Sequence, residues 1–597
     1  MNQTIISKVD RKSGFWLFLL SVCLCAEIGN FDARTFEQEM LPYVLSRTQK
    51  NRGLAKTQSI KFPSQAQLFK VSALWKGLSF DFKAAYMASV EIPAGLRMYR
   101  SPGYGIEIYY TIYGIDAVDS TDTWGCSSVD WRMRLHQPNA VPDYIDEVAW
   151  AVDSAWSMEV VRFGFKAPYG AISADYPSFK YKIQVEDRGE NYGLTYFAGL
   201  VEGETGARSL LTIRNQWEGW DINDIVDYES HPEKAIRITC AHELFHAVQF
   251  AMVHNVIDNV FLDQFPISWL EATSTLMEDL VFDSVNDYTQ YLSAYFNNPA
   301  TFSFLSQNTN YNPYTNSVLA LFLYHASARG IDIIKDIFES NYSAVSSINI
   351  LLEKASVSSG TTWPDLLNRF HTESFFTGNR ADSRFFVPDS PILEEMSYLK
   401  GNCKLGITST KAIIPFGMRT FSLLRPADLN NNTLQVRCTL NGTTSGMKTV
   451  LRLILTGGEK DTIISSADIN PGSAVISTAW GDYTEAIAVV TNGNYDFSIS
   501  VSILFSDEPI TSAQNLRLFN TDSSPRTRIT FRRNAIVVPN GICSVKLYTV
   551  TGRLLYAENI AGPAVYELFN SRNVTKGEYF VRVQWKDDCI EKRIVNW

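Results

Sequence analysis

The segment Ile238–Met252 (ITCAHELFHAVQFAM) constrains the fold of this chain more than any other stretch. It is apolar around His242, Glu243 and His246, and Glu243 is its only charged residue. Imidazoles at positions i and i+4 of an α-helix project from one face, about one turn apart. A solvated surface helix would carry more charge, and buried polar groups need a partner, which a metal ion supplies. The segment therefore predicts a buried helix that presents two ligands to one tetrahedral zinc ion.

A catalytic zinc usually takes a third protein ligand and leaves its fourth position to water. The metzincin pattern H-E-x-x-H-x-x-G-x-x-H is not met, because Gln249 stands at the glycine and Met252 at the third histidine. The gluzincin pattern instead takes a glutamate from a second helix. The segment Pro266–Asp279 predicts such a helix and offers Glu271, the only charged residue from Pro266 to Met277. Glu278, two turns further on, is the alternative ligand or a partner of one of the ligands.

Two segments together carry a family resemblance. His242-Glu243-x-x-His246 followed by Trp269-Leu270-Glu271 resembles the signature of gluzincin-type zinc metallopeptidases. With the upstream segments Ile106–Val118 and Pro142–Trp156, the match is closer to a family of secreted bacterial metalloproteases, and it extends from about Tyr99 to Phe376.

The resemblance implies an enzyme that hydrolyses peptide bonds in protein or peptide substrates. His242, His246 and Glu271 would bind Zn²⁺, and Glu243 would be the general base that activates a zinc-bound water. Peptidases of this kind often add a tyrosine or histidine that donates a hydrogen bond to the oxyanion. Tyr314 is the candidate here, and the alternative is a Tyr314 that only packs in a turn.

The N-terminus has the pattern of an export signal. Lys8, Arg11 and Lys12 precede the uncharged run Gly14–Ala26, which is too short to span a bilayer comfortably. We expect residues 1–26 to be a signal peptide, and an uncleaved anchor is the alternative. The protein is therefore expected to be secreted or held at a bacterial cell surface.

The C-terminal region 515–597 resembles the sorting domain of the bacterial type IX secretion system. The matching features are strands with alternating hydrophobicity, the turn Thr551-Gly552-Arg553, the strand start at Gly577-Glu578-Tyr579 and the basic pair Lys592-Arg593. The resemblance implies a small β-sandwich that outer-membrane secretion machinery recognises, followed by release or attachment at the cell surface.

The remaining length divides by periodicity. A chain of 597 residues is too long for one hydrophobic core. Residues 27–98 form an N-terminal extension or pro-segment without a chemical motif, and 99–390 form the zincin-like domain, with a small sheet and the active-site helices. Alternation in 399–510 predicts an antiparallel β-sandwich of seven or eight strands. The fold class is thus α+β with several domains.

Cysteines and charge add further expectations. In an oxidising compartment, Cys403 could pair with Cys438 and Cys543 with Cys589, because each pair falls inside one predicted β-domain; free buried thiols are the alternative. The balance of 53 basic against 63 acidic residues gives a net charge of −10, which argues against a nucleic-acid partner. We expect a monomer.

Two other functions compete with the peptidase. The chain could be a non-catalytic surface adhesin or binding protein in which the same residues hold a structural zinc. It could also be a zinc hydrolase that acts on a non-peptide substrate. Metal content combined with the effect of Glu243→Gln on cleavage separates the first of these from the peptidase.

Overall fold

The computed structural model describes residues 33–51, 63–253, 266–304, 313–339, 356 and 361–508, with short gaps inside these ranges, and the strands between 530 and 596. The predicted signal peptide, residues 1–26, lies outside the described residues. The described chain divides into two compact units. The first draws on Met1–Asn297, Leu305–Trp363 and Phe376–Met396, and the second on Asn298–Phe304, Pro364–Phe375 and Ser397–Trp597.

A five-stranded mixed sheet organises the first unit. Its strands are β1 (Arg97–Arg100), β2 (Glu107–Tyr110), β3 (Lys182–Glu186), β4 (Gly193–Leu200) and β5 (Ala207–Arg214), in the order β1-β2-β3-β5-β4. The pairs β2–β3 and β3–β5 are parallel, whereas β4 runs antiparallel to β5. Strand β4 is therefore an antiparallel edge strand.

The helices of the first unit include α1 (Ala33–Asn51), α2 (Gln65–Leu74), α3 (Phe80–Ser89), α4 (Asp143–Trp156), α5 (Pro232–Val253), α6 (Pro266–Phe282), α7 (Ser317–Ala326) and α8 (Ile331–Glu339). Helices α2, α4 and α5 pack on strands of the sheet, and α6 packs on α5. Pro232 and Glu233 begin α5, where a missing N–H costs nothing and an acidic side chain meets the positive end of the helix dipole. Helix α4 likewise begins with acidic residues and continues into a π-helical turn, Ser157–Arg162.

The alternation of side chains along β3 explains how its two faces differ. Ile183 and Val185 pack in the apolar core with α4 and α5. Glu186 points to the opposite face, where Arg47 of α1 makes a buried ion pair with it at 2.5 Å. Burial opposes ionisation of Glu186, but Arg47, Lys50 and Arg188 outweigh it and lower the pKa of the carboxyl to about 2. Helix α1 is thus anchored in the first unit by a buried charge pair.

Two four-stranded antiparallel sheets form the core of the second unit. The strands are β6 (Ser409–Ile413), β7 (Met418–Leu424), β8 (Thr433–Asn441), β9 (Thr449–Thr456), β10 (Thr462–Asp468), β11 (Ser473–Ala479), β12 (Glu485–Asn492) and β13 (Ile499–Ser506). One sheet has the order β6-β13-β8-β11 and the other β7-β12-β9-β10. Residues from both sheets pack into one apolar cluster around the fully buried Trp480.

One helix of this unit lies within residues 99–390, the range that the sequence predicts for the zincin-like domain. In helix α9 (Trp363–Glu373), the amide of Asn368 donates to the backbone oxygen of Val450 at 3.1 Å and to Thr491 Oγ1 at 3.0 Å. Residues 364–375 therefore belong with the sandwich strands. Hydrophobic spacing within a helix cannot indicate which core the helix joins.

The C-terminal strands form one further antiparallel sheet. They are β14 (Thr530–Arg532), β15 (Ala535–Thr549), β16 (Leu554–Glu567), β17 (Gly577–Trp585) and β18 (Asp588–Asn596). The order is β14-β15-β17-β18, and β16 also pairs with β15.

The predicted disulfides are wrong for Cys403 and Cys438, which are free thiols. The backbone N–H of Cys403 bonds to Ser422 in β7, whereas Cys438 lies on β8 of the opposite sheet, and both sulfurs pack in the core between the sheets. Cys543 and Cys589 lie on β15 and β18, and β17 pairs with both of these strands. Their pairing stays a prediction.

The coarse fold prediction is confirmed, since the chain combines helices with several antiparallel sheets in more than one unit. No helix in the described part of the chain combines the length and the apolarity needed to cross a membrane.

Candidate metal centre

Helices α5 and α6 bring the three predicted ligands together. One ligand atom from each of His242, His246 and Glu271 lies within 4.8 Å of the others. Glu271 Oε2 is 3.2 Å from His242 Nε2 and 3.4 Å from His246 Nε2. The three residues are 9%, 0% and 4% exposed, respectively. Two imidazoles from one helix and a carboxylate from the next thus converge on one small buried volume.

Gln249 fixes the orientation of the His246 ring. Its Nε2 donates to the backbone oxygen of Leu270 at 3.0 Å, which sets the direction of the amide. Its Oε1 therefore accepts from His246 Nδ1 at 2.8 Å. With Nδ1 bonded to Gln249, Nε2 is the ring nitrogen that faces Glu271.

Glu278 holds the other imidazole in the corresponding way. Its Oε1 lies 2.6 Å from His242 Nδ1, on the side of the ring away from Glu271. This contact makes Glu278 a neighbour of His242, and Glu278 is not one of the three residues of the cluster. A carboxylate on the distal nitrogen orients a metal-binding histidine and makes it more basic.

The carboxyl groups of Glu271 and Glu278 have different electrostatic surroundings. Burial opposes ionisation of Glu271, but His246 and His242 outweigh it and lower the pKa to about 2. Burial dominates at Glu278 and raises its pKa to about 7 although His242 is bonded to it. Between these carboxyls, burial lowers the pKa of His242, but Glu271 and Glu278 outweigh it and raise it well above the usual value.

The cluster fits a divalent cation with borderline-soft preferences. His246 Nε2 is buried and makes no hydrogen bond. A buried nitrogen that lacks a donor costs free energy, and coordination of a metal removes that cost. Two imidazole nitrogens and one carboxylate oxygen form the His₂Glu donor set of catalytic zinc sites.

Glu243 lies beside this cluster and is fixed by the edge strand. The hydroxyl of Thr195 in β4 lies 2.8 Å from Glu243 Oε2 and 2.8 Å from the Glu243 backbone oxygen. A Cβ on Gly193 would come within 2.7 Å of Glu243 Cγ, so the absence of a side chain there lets β4 pass close to the carboxylate. Burial raises the pKa of Glu243 from its ordinary value, although His246, His242 and Thr195 oppose the shift.

Tyr314 also reaches the site. It lies in a 3₁₀ turn, Pro313–Asn316, and its ring meets the His242 ring edge-on at a centroid distance of 5.8 Å. The pKa of its hydroxyl is raised, first by the nearby Glu271 carboxylate and then by burial. The position is compatible with a hydrogen-bond donor beside the cluster.

Several residues at the site were not found from the sequence. Thr195 lies 48 residues before Glu243 on a separate strand, and nothing in its local pattern marks it. Gln249 could have been recognised, because it is a polar residue one turn after His246 on an apolar helix. Glu159 lies in the π-helical turn, is fully buried, and neither carboxylate oxygen has a hydrogen bond. Burial raises its pKa and His242 opposes that shift.

A second carboxylate cluster includes Asp279, which lies on α6. Asp279, Asp283 and Asp389 each offer an oxygen within 4.8 Å of the others, and Tyr288 donates to Asp389 Oδ2 at 2.7 Å. Burial first, and then Asp389, Asp283 and Glu278, raise the pKa of Asp279 to about 8. Asp279 is only 5% exposed.

Asp279→Asn is expected to flatten the pH dependence of stability. Asp279 binds its proton more tightly in the folded state than in the unfolded chain. The stabilisation that this proton gives to the folded state is therefore fully present below the ordinary pKa near 4 and is lost as pH rises through about 8. The loss in the wild type is on the order of a few kcal/mol. Thermal melts at pH 5 and pH 8.5 should show a smaller decrease in Tm for Asp279→Asn, whereas Asp428→Asn on an exposed turn should behave like the wild type. Parallel curves for Asp279→Asn and the wild type would contradict this.

Comparison with known proteins adds no family. No family model matches the sequence, and a search of curated proteins finds no match. Among solved structures, the Yersinia pseudotuberculosis-derived mitogen is 17% identical over 18% of this chain and 90% of its own length, with a TM-score of 0.14. A β-glucuronidase of Parabacteroides merdae is 10% identical over 30% of this chain and 27% of its own, with a TM-score of 0.10. The Bacillus licheniformis lipase BlEst2 in propeptide form is 13% identical over 35% of this chain and 44% of its own, with a TM-score of 0.12.

This chain therefore spans less than half the length of the glucuronidase and of the lipase that it matches. TM-scores of this size carry no argument about fold or function.

Proposed function

We propose that this protein is an exported zinc-dependent peptidase of the gluzincin type, with a zincin-like domain built on the sheet β1–β5 and helices α5 and α6. One observation carries the proposal. His242 Nε2, His246 Nε2 and Glu271 Oε2 converge in a buried cluster in which His246 Nε2 has no hydrogen bond, with the carboxylate of Glu243 next to it. A His₂Glu set that leaves a fourth position for water is typical of catalytic zinc.

Each residue has a distinct task in this proposal. His242, His246 and Glu271 would hold Zn²⁺, which when bound lowers the pKa of a coordinated water and polarises the scissile carbonyl. Glu278 and Gln249 orient the imidazoles through their Nδ1 atoms.

Glu243 is the proposed general base. Thr195 Oγ1 contacts Oε2 of Glu243, which leaves Oε1 as the oxygen that would accept the proton of the attacking water. The raised pKa of Glu243 moves it closer to the working pH, which favours a group that must take and return a proton. Tyr314 is the candidate donor to the oxygen on which negative charge develops.

The cellular setting is part of the same proposal. Residues 1–26 would direct export, and the C-terminal sheet β14–β18 would be recognised by outer-membrane secretion machinery, which leaves the enzyme released or attached at the cell surface. The partners of the catalytic unit would be protein or peptide substrates.

Metal content and metal-dependent cleavage test the proposal. We expect the purified protein to hold about one zinc ion per chain by mass spectrometry, and to cleave casein or gelatin. A chelator should stop cleavage and added Zn²⁺ should restore it. Zinc without cleavage of any member of a broad peptide library would instead support a structural zinc in a binding protein, and a protein that never takes up zinc would contradict both.

A further inference from the structure

The side-chain amide of Gln65 mimics a neighbouring strand. Its Nε2 donates to the backbone oxygen of Thr195 at 2.9 Å, and its Oε1 accepts from the backbone N–H of Thr195 at 3.0 Å. These are the two hydrogen bonds that a paired residue on an adjacent antiparallel strand would make. Gln65 is 6% exposed, and Thr195 lies on the edge strand β4.

The position that Gln65 occupies is next to the proposed general base. The hydroxyl of the same Thr195 contacts Glu243 Oε2. Thr195 therefore contacts Gln65 through its backbone and the proposed general base through its side chain. Any chain that is to be cleaved through Glu243 must come close to this part of β4.

Helix α2 holds Gln65 in place. Ser64 and Gln67 form a capping box at the start of the helix. Further along α2, Phe69 stacks on Phe250 of α5 at a centroid distance of 4.3 Å and meets the His246 ring edge-on at 5.6 Å. Helix α2 thus contacts both the edge strand and a proposed ligand of the metal.

We propose that helix α2 is a built-in inhibitor of this site, with Gln65 as a stand-in for a residue of an extended peptide. The inference rests on the proposed peptidase function and concerns its regulation. An edge strand presents unpaired N–H and C=O groups that an incoming peptide can pair with as an added strand. Thr195 offers one N–H and one C=O on this edge, so Gln65 and a bound peptide exclude each other.

Helix α1 differs from α2 in this respect. Its Arg47 and Tyr43 bind Glu186 and Tyr196, which face away from Glu243, and the ion pair with Glu186 is buried. Helix α1 therefore stabilises the sheet, whereas the contact of Gln65 in α2 is the one that a substrate must displace.

Gln65→Ala tests the inference. The variant should lower KM for a peptide substrate roughly tenfold with kcat unchanged, because two competing hydrogen bonds are lost and the chemical groups stay in place. The amide hydrogen of Thr195 should also exchange faster than in the wild type, a readout that does not depend on activity. Gln38→Ala, on the exposed side of α1, is the matched control and should change neither.

Peptide binding separates the failure of this inference from the failure of the proposed function. In a Glu243→Gln background, Gln65→Ala should increase the affinity for a fluorescent casein-derived peptide by a similar factor. Increased affinity with no cleavage by the parent protein would retain the inhibitor and reject the peptidase. Cleavage by the wild type with unchanged KM, affinity and Thr195 exchange in Gln65→Ala would reject the inhibitor and retain the peptidase. Gln65→Asn, which is too short to make both bonds, should reproduce the result if Gln65→Ala does not fold.

Discussion

Glu243→Gln should abolish peptide cleavage while the protein keeps its zinc. Glutamine has nearly the same shape and still accepts the hydrogen bond from Thr195, so the packing of α5 against Gly193 is retained. It cannot take up a proton, and loss of a positioned general base usually costs about 10²- to 10⁴-fold in rate. Glu243 is not in the three-residue cluster, so zinc should remain bound. Initial rates on a peptide substrate and metal content by mass spectrometry measure the two effects.

The matched control for this variant is on the same helix. Glu233→Gln makes the same chemical change in the first turn of α5, where the side chain is 35% exposed and lies beside His231. It should retain activity close to that of the wild type. A Glu243→Gln protein with more than about a tenth of the wild-type rate would mean that another group is the base.

The sequence predicted the site where the relevant geometry is local. The i, i+4 spacing of His242 and His246 places both residues on one face of any α-helix. The apolar residues around them predict that this helix is buried. Glu271 was predicted from a second helical segment and is indeed placed beside both imidazoles. For Glu278 the sequence leaves two roles open, third zinc ligand or partner of a ligand. Helical spacing shows that Glu278 shares a face with Glu271, but it does not show which ring nitrogen of His242 the carboxylate contacts.

The contacts that the sequence could not predict join distant segments. Thr195 and Gln65 are 130 residues apart, and their pairing depends on which strand forms the edge of the sheet. The same limit applies to Arg47 and Glu186, which give the N-terminal extension a buried ion pair although it has no chemical motif. For Cys403 and Cys438, membership in one predicted sandwich did not determine which sheet each residue joins. Strand alternation predicts that a sandwich forms, but not its register.

Glu271→Gln and Glu278→Gln should differ in their effect on zinc binding. Glu271 offers an oxygen to the cluster itself, so its replacement removes one charged ligand. Structural zinc sites with four ligands bind with about 12 kcal/mol, or roughly 3 kcal/mol per ligand, which corresponds to more than about a hundredfold in affinity. Glu271→Gln should therefore lose zinc at ordinary concentrations, and peptide cleavage with it. Competition with a chromophoric chelator measures the affinity.

Glu278→Gln is the matched comparison for Glu271→Gln. A glutamine at 278 can still accept from His242 Nδ1 through its Oε1, so the imidazole stays oriented but loses the basicity that a carboxylate confers. The expected loss of zinc affinity is about ten- to a hundredfold, and excess Zn²⁺ should restore cleavage, as it should not for Glu271→Gln. The reverse order, in which Glu278→Gln binds zinc more weakly than Glu271→Gln, would make Glu278 the third ligand. The bound ion would then have to lie on the Nδ1 side of His242, where His246 Nε2 does not point.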